Sequence, residues 1–123
     1  MKLRELYDQY ISIILSNNLI TIDPNNGHAF FTDAAMQRVS QKIGHEPFSR
    51  LAAVHSTDED VTDCMLMLYV KKQNAFFRFW LESYKGPAYE YDRIEELVTD
   101  TLALFGLQLY DSQEYVDLND IVF

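Results

Sequence analysis

The sequence predicts an α+β fold, and three patterns carry that prediction. Apolar residues recur at three- and four-residue spacing in three separate stretches, which is typical of amphipathic helices. Between the second and third stretch lie two dense apolar runs joined by a polar turn, which is typical of a β-hairpin. No internal repeat or low-complexity tract interrupts the order. We therefore expect a single domain over residues 1–123, with an antiparallel sheet packed against three helices.

The first helix is predicted over residues 2–17. Its apolar residues fall on one face, and Asn17 and Asn18 follow them where a helix can end. That face comprises Leu3, Leu6, Tyr7, Tyr10, Ile13 and Ile14. A short hairpin is predicted next, because the apolar residues of 19–22 and 28–31 flank the turn-forming stretch DPNNG.

The second helix is predicted over residues 32–43. Thr32 can cap its amino end, and Gly44 can end it by adopting a left-handed conformation. Its apolar stripe consists of Met36, Val39 and Ile43. The next stretch, FSRLAAVH at residues 48–55, fits either a strand or a short helix, because so short an apolar stretch has no decisive period. We favour the strand.

The longest predicted strands form a hairpin over residues 64–82, with its turn at 71–74. Alternation of side chains puts apolar residues on both faces of both strands. A sheet with one wet face would alternate apolar and polar residues, so we expect this hairpin to be central in the sheet and covered on both sides. If the helices left part of it uncovered, Phe76 and Trp80 would form an exposed patch that a partner or a second copy could cover.

The third helix is predicted over residues 92–105. Asp92 can cap its amino end, with Glu95 placed to complete a capping box, and Gly106 can end it. Its buried stripe comprises Ile94, Leu97, Val98, Thr101, Leu102 and Phe105. Acidic residues recur at every third position in the segment that follows, 107–123, which is predicted to be a strand with a helical turn or an arm that orders on a partner.

The charge of the chain is lopsided. Its formal net charge is -9. Residues 1–50 hold five charges of each sign, whereas residues 51–123 hold five basic and fourteen acidic side chains. Such a field repels nucleic acid and anionic lipid and speeds encounter with a basic protein surface. Solubility alone is the alternative explanation of this acidity.

Cysteine content and hydropathy favour a cytoplasmic protein. A single cysteine, Cys64, cannot form an internal disulfide, which is compatible with a reducing compartment. Since it begins an apolar strand, we expect an unreactive thiol. Acidic residues interrupt the apolar part of residues 1–18, unlike in a signal peptide, and no apolar run approaches the ~18 residues of a membrane span.

The motifs of catalysis, metal binding and nucleotide binding are missing from this sequence. The glycines are scattered at turns, and the three histidines lack the spacing of a metal-ligand set. The acidic stretch 56–63 lacks the glycine and closing glutamate of a calcium loop. Residues 39–51 resemble a helix-turn-helix, but Pro47 stands where its second helix should begin. We expect no metal, cofactor or nucleic acid, although a cluster of His55 with nearby carboxylates stays open as an enzyme site.

Binding of a protein partner is the function that these patterns favour. We expect a non-catalytic protein that binds a basic partner and inhibits or escorts it, comparable by class only to immunity proteins, antitoxins and anti-defence inhibitors. Carboxylates would steer the encounter, and tyrosines beside them would anchor it. The predicted carboxylates are Asp58, Glu59, Asp60, Asp111, Glu114, Asp117 and Asp120. The predicted anchors are Tyr84, Tyr89, Tyr91 and Tyr115.

Two alternatives belong to other functional classes. One is a small enzyme or ligand binder with an apolar pocket between sheet and helices, lined by Met67, Phe77 and Phe79. The other is a homodimer that pairs the faces of its hairpins and escorts a secreted client.

Overall fold

Three helices and a five-stranded antiparallel sheet make up the described part of the chain. The computed structural model describes residues 3–45, 49–55, 64–81 and 88–109, and gives residues 3, 4, 55 and 88–91 by their backbone alone. The helices are α1 (Leu3–Ser16), α2 (Asp33–Ile43) and α3 (Ala88–Leu104). The strands, which pair in chain order, are β1 (Ile20–Ile22), β2 (Ala29–Phe31), β3 (Leu51–His55), β4 (Cys64–Val70) and β5 (Ala75–Leu81). The predicted α+β class is confirmed.

Helix α1 forms where apolar residues recur along one side of the chain. Leu6, Tyr10 and Ile14, at successive turns, are fully buried. The helix ends because Asn18 adopts a φ of 59°, in the left-handed region that asparagine tolerates better than most residues. The Leu19 N–H then donates to Ile14 O at 2.9 Å and satisfies a carbonyl at the helix end.

The short hairpin of β1 and β2 follows its predicted turn. Ile20 lies opposite Phe31 in the antiparallel register. Across the turn the Asp23 N–H donates to His28 O at 2.8 Å, and Gly27 has a φ of 72° that a side chain would disfavour. The expected hairpin is confirmed.

Helix α2 has both of its predicted caps. Thr32 Oγ1 accepts a hydrogen bond from the Ala35 N–H at 3.2 Å. Gly44 ends the helix with a φ of 83°, and its N–H donates to the carbonyl of the preceding turn. Val39 and Ile43 are buried, so the predicted stripe faces the core.

Strand β3 resolves the ambiguity of residues 48–55 in favour of a strand at Leu51–His55. It lies between β2 and β4, with Ala53 opposite Leu66. Ala52 and Ala53 are buried, and their small side chains leave room for the larger residues of the neighbouring strands.

The turn of the β4–β5 hairpin is tied to the end of α2. Val70 and Ala75 close the register, and Asn74 has a left-handed φ of 51°. The Asn74 side chain accepts from Tyr69 Oη at 2.7 Å through Oδ1 and donates to Ile43 O at 3.0 Å through Nδ2. A turn that could have been a mobile surface loop is thereby fixed by helix α2.

Within the described residues, the hairpin does not have the central, fully covered position that we predicted. Strand β4 is interior and buried along nearly its whole length. Strand β5 has only β4 beside it among the described strands, and much of it is exposed. The prediction was wrong for β5. An apolar sequence shows that a strand has side chains suited to burial, but it does not show whether another element covers them.

Helix α3 begins four residues before the predicted start. It starts at Ala88, so Asp92 lies inside the helix and cannot be its N-cap. Proline favours helix starts, and no helix breaker stands between Pro87 and Asp92, so local sequence supports the earlier start. The Asp92 cap and its capping box with Glu95 are therefore wrong predictions, whereas the buried stripe of α3 is confirmed.

The carboxyl end of α3 meets the centre of the core. Phe31 stacks on Phe105 with ring centroids 6.3 Å apart, and it contacts Phe76 edge-on at the same distance. Arg38 Nη2 donates to Phe105 O at 2.6 Å, which places a positive charge at the negative end of the helix. These contacts join β2, β5, α2 and α3. No helix in the described residues is long and apolar enough to cross a membrane.

Candidate functional site

Strand β5 is the most unusual surface of the described residues. Trp80 is 58% exposed and Phe77 is 45% exposed, and both lie in the same seven-residue strand. Edge strands normally carry charged or short sequences that discourage pairing with other chains. An edge that is aromatic instead is a candidate interaction surface. We call residues 75–81 the aromatic edge.

The register divides the aromatic edge between the two faces of the sheet. Phe77 lies opposite Leu68, whereas Trp80 lies opposite Met65. Since alternate residues point to opposite faces, the two exposed rings project on opposite sides of the sheet. A partner that covers both rings must therefore reach around the edge of the strand and cannot lie flat on one face.

Positive charge surrounds the aromatic edge. The Arg93 guanidinium lies 5.7 Å from the centre of the Phe79 ring, within the range of a cation–π interaction. Arg78 is exposed in the middle of the strand, and Lys71 and Lys72 are exposed in the turn before it. Residues 64–81 hold no acidic side chain. This part of the molecule is locally basic although the chain as a whole is acidic.

The negative charge is concentrated in two segments outside the described residues. Residues 56–63 and 110–123 each hold four acidic side chains and no Lys or Arg. The rest of the chain holds ten basic and eleven acidic side chains and is nearly neutral. The net charge of the protein is thus the charge of two short segments, one between β3 and β4 and one after α3.

The predicted site residues fall almost entirely outside the described part. Tyr89 and Tyr91 belong by their backbone to the first turns of α3, and their side chains are not described. The others lie outside the described residues: Asp58, Glu59, Asp60, Tyr84, Asp111, Glu114, Tyr115, Asp117 and Asp120. Of the predicted acidic arm, residues 107–109 are described and 110–123 are not. These predictions stay predictions.

Sequence reasoning preferred those tyrosines and considered an exposed patch of Phe76 and Trp80 only for the case of an incompletely covered hairpin. Trp80 is exposed, but Phe76 is buried, and the exposure of Phe77 was missed. One signal could have found it. Arg78 interrupts the strand in the middle of an otherwise apolar run, and a lone charge inside an apolar strand is typical of an edge position.

The apolar pocket of the alternative hypothesis is not formed by its three predicted residues. Met67 lies opposite Arg78, whereas Phe77 and Phe79 lie opposite Leu68 and Leu66. Met67 therefore points to the face of the sheet opposite to the two phenylalanines. A ligand cannot contact all three from one cavity between sheet and helices.

A cleft of 390 Å³ does lie between the end of α1 and the chain that follows α3. It is lined by Ile13, Asn17, Gly106, Leu107 and Gln108. No side chain in this lining titrates near neutral pH, so the cleft has no general acid, base or nucleophile of its own.

Histidine and cysteine do not assemble into a reactive centre among the described residues. No three His, Cys, Asp or Glu side chains there are close enough to share a metal ion. His45 Nε2 lies 2.9 Å from Asn74 O, which gives it a structural contact beside the hairpin turn. Cys64 is buried in β4, as expected of an unreactive thiol.

Two polar side chains of α1 are buried and have no hydrogen-bond partner among the described residues. Within the part of the chain that the structure describes, neither the amide oxygen nor the amide nitrogen of Gln9, 3% exposed, has a partner, and the hydroxyl of the fully buried Tyr10 has none. Burial raises the pKa of the Tyr10 phenol above its ordinary value. By contrast, Thr101 is buried and satisfied, since its hydroxyl donates to Leu97 O and accepts from the Tyr69 N–H.

Comparison with known proteins adds no family to these observations. No protein-family model, curated protein or solved structure matches the chain. A functional argument for this molecule therefore depends on its own charges, exposed side chains and register.

Proposed function

We propose that this chain is a small non-catalytic protein that binds a basic partner protein and inhibits or escorts it. The observation that carries the proposal is the concentration of nearly the whole net charge in residues 56–63 and 110–123. If the acidic residues served solubility alone, they could be dispersed over the whole surface and would not need to be concentrated in two short segments.

The physical consequence of the concentration is a strong local field. Four carboxylates fall within the eight residues 56–63, and three of them, Asp58, Glu59 and Asp60, are consecutive. Neighbouring charges in so short a segment are only partly screened from one another at physiological ionic strength, where the Debye length is about 8 Å. Such a field accelerates encounter with a basic surface and repels phosphate backbones and anionic lipid. The preferred partner is therefore a basic protein and not a nucleic acid or a membrane.

Carboxylates provide steering, and aromatic side chains would provide the lasting contact. Tyrosine combines a large apolar ring with a hydroxyl and is enriched among residues that dominate binding energy. Four tyrosines lie within two residues of an acid in the sequence: Tyr84, Tyr89, Tyr91 and Tyr115. We assign the anchoring role to them and the steering role to the acids of residues 56–63 and 110–123. Inhibition and escort share this chemistry and differ in which surface of the partner is covered. We place the protein in the cytoplasm, which the lone buried Cys64 favours.

The experiment begins by capturing partners on the immobilised full chain in 50 mM salt and releasing them with 500 mM salt. A captured protein with a basic isoelectric point is then purified, and its association rate is measured at both salt concentrations. We expect the rate to fall by about 10-fold or more at the higher concentration. An association that is fast and insensitive to salt contradicts the proposal.

Matched variants separate the local field from total charge. D117N/D120N removes two charges from the acidic segment, and D92N/E96Q removes two charges from the exposed side of α3. Both variants have the same net charge. We expect the first to slow association several-fold and the second to change it little. Equal effects of the two variants would attribute the binding to total charge and contradict the assigned role of the segment.

A further inference from the structure

Beyond this function, strand β5 has backbone N–H and C=O groups available for pairing with another strand. One hydrogen bond of the neighbouring strand β4 identifies the residues of β5 that carry these groups. The Tyr69 N–H donates to Thr101 Oγ1 at 2.8 Å, so it points away from β5. Tyr69 lies opposite Phe76. In an antiparallel pair, opposed residues alternate between those that exchange hydrogen bonds and those that do not, and Tyr69 with Phe76 is therefore of the second kind.

The alternation extends along the whole hairpin, because its register has no bulge. Arg78 and Trp80, which lie opposite Met67 and Met65, are also residues that do not bond to β4. Their N–H and C=O groups point to the outer edge of β5, where no described residue bonds to them. The outer edge thus offers two donors and two acceptors two residues apart, which is the pattern that another antiparallel strand requires.

We propose that a second copy of this chain pairs with β5, antiparallel, about a twofold axis through Phe79. The axis must be perpendicular to the sheet, and it therefore places one residue of β5 opposite itself. Centring the axis on Arg78 brings two guanidinium groups directly opposite each other, which is unfavourable. Centring it on Phe77 places Trp80 opposite Asn74 of the turn and leaves the end of the strand unpaired.

The register centred on Phe79 is complementary to itself. Arg78 of each copy lies opposite Trp80 of the other, which forms two symmetric cation–π pairs and covers the most exposed of the large apolar side chains in the described residues. Phe77 of each copy lies opposite Leu81 of the other, and the two Phe79 rings meet at the axis. The Arg78–Trp80 pairs are the ones whose backbone groups point outward, and each pair exchanges two N–H···O bonds.

Charge permits this pairing in spite of the acidity of the whole chain. Residues 64–81 contain no Asp or Glu, so no carboxylates are brought together at the new seam. The dimer joins two five-stranded sheets into one continuous sheet and carries two sets of acidic segments. Such an assembly can engage a partner at two points, which raises its apparent affinity without new contacts.

Sedimentation of the full chain between about 1 and 100 µM tests the assembly. We expect the mass to double with increasing concentration. Trp80→Lys places a third and fourth cation against the Arg78 side chains and is expected to raise the dissociation constant of the dimer at least 10-fold. Phe30→Ala removes another exposed aromatic ring, on β2, and is expected to leave the dimer unchanged. Circular dichroism verifies that both variants are folded.

Cross-linking tests the register. In a Cys64→Ala background, Phe79→Cys is expected to form a disulfide between copies under mild oxidation, because a residue on the axis lies opposite its own copy at short distance. Leu15→Cys, exposed on α1, is expected to form none. A chain that stays monomeric at 100 µM, as it would if its own residues 110–123 or another protein covered β5, overturns the proposal. A dimer that survives Trp80→Lys, or one that cross-links through Arg78→Cys in place of Phe79→Cys, also overturns it.

Discussion

Strands β4 and β5 have the same length and a similar apolar content, yet the fold treats them differently. Six of the seven residues of β4 are buried, whereas only Phe76 and Leu81 are buried in β5. The difference arises from position, because among the described strands β4 has a neighbour on each side and β5 has one. An apolar strand at the edge of a sheet has the residue composition of a core strand, but part of its surface stays exposed to solvent. The contrast between a covered and an uncovered strand can be tested by substitutions on each.

The largest effect on the free energy of unfolding is expected from substitutions at two residues that lie opposite each other, one on β4 and one on β5. Leu68 and Phe77 lie opposite each other, and Leu68 is fully buried. We expect Leu68→Ala to lower the free energy of unfolding by about 2–5 kcal/mol, because it leaves a cavity. Phe77→Ala removes a half-exposed ring and should cost about 1 kcal/mol. Urea unfolding of the two variants measures both values. Equal losses would show that β5 is as covered as β4.

The next effect concerns the hydrogen bond that ends the ladder of β4. Thr101→Val keeps the shape of the side chain and removes the acceptor of the buried Tyr69 N–H. An unsatisfied buried donor costs about 1–3 kcal/mol, and we expect a loss in that range. Thr101→Ser retains the hydroxyl and should lose less. Amide hydrogen exchange at Tyr69 should accelerate in the valine variant alone, and an unchanged rate would show that this bond does not close the ladder.

Replacing either of two buried tyrosines by phenylalanine should change the free energy of unfolding, and we expect the two changes to have opposite signs. Tyr69→Phe breaks the bond to Asn74 and should lower the free energy of unfolding by about 0.5–1.5 kcal/mol. Tyr10→Phe removes a buried hydroxyl that no described residue bonds, and we expect the protein to become about 1 kcal/mol more stable. Thermal and urea unfolding at pH 7 measure both variants. A loss in Tyr10→Phe would reveal a partner of that hydroxyl in solution.

The same hydroxyl makes stability depend on alkaline pH. Burial raises the pKa of Tyr10 in the folded protein, so the folded state holds this proton more tightly than the unfolded state. The associated stability is present below the unfolded pKa of about 10 and is lost as the pH rises above it. Unfolding measured from pH 8 to 11 should show a decline in the native protein that is weaker in Tyr10→Phe. Parallel declines in both proteins would assign the effect to other groups.

The smallest effect is expected at the face of Phe79. Arg93→Gln removes the cation above this ring and should cost about 0.5 kcal/mol, because the pair is partly exposed. Arg93→Lys retains a positive charge, so its free energy of unfolding should lie between those of the native protein and Arg93→Gln. Urea unfolding in low salt resolves this difference best. A loss well above 1 kcal/mol would indicate that the edge is more covered than its exposed rings suggest.

Local chemistry made much of the fold predictable. The Thr32 cap, the Gly44 stop and the DPNNG turn each act through a few neighbouring residues, and all three are confirmed. The start of α3 was missed because Asp92 resembles a cap in isolation, while the proline that favours an earlier start stands outside the predicted helix. Pro87 and Asp92 each satisfy a local rule for helix starts, and the helix adopts the earlier one.

The candidate site was less predictable for a different reason. Whether Trp80 is covered depends on which strand pairs with β5, and sequence periodicity carries no information about that neighbour. Arg78 is the one local indication of an edge position. It is informative only because the other residues of the strand are apolar or aromatic. Negative charge, by contrast, can be counted directly in the sequence, which is why the acidic segments are predictable from it.

Asn74 occupies a backbone conformation that glycine would adopt with less strain, yet glycine there would remove both side-chain ties between the hairpin turn and α2. Most turns can drift between asparagine and glycine over evolutionary time at little cost. Here that drift would release the end of the hairpin from the helix. Relatives of this chain should therefore retain asparagine at this position wherever they retain a hydroxyl at Tyr69, and the two residues should change together.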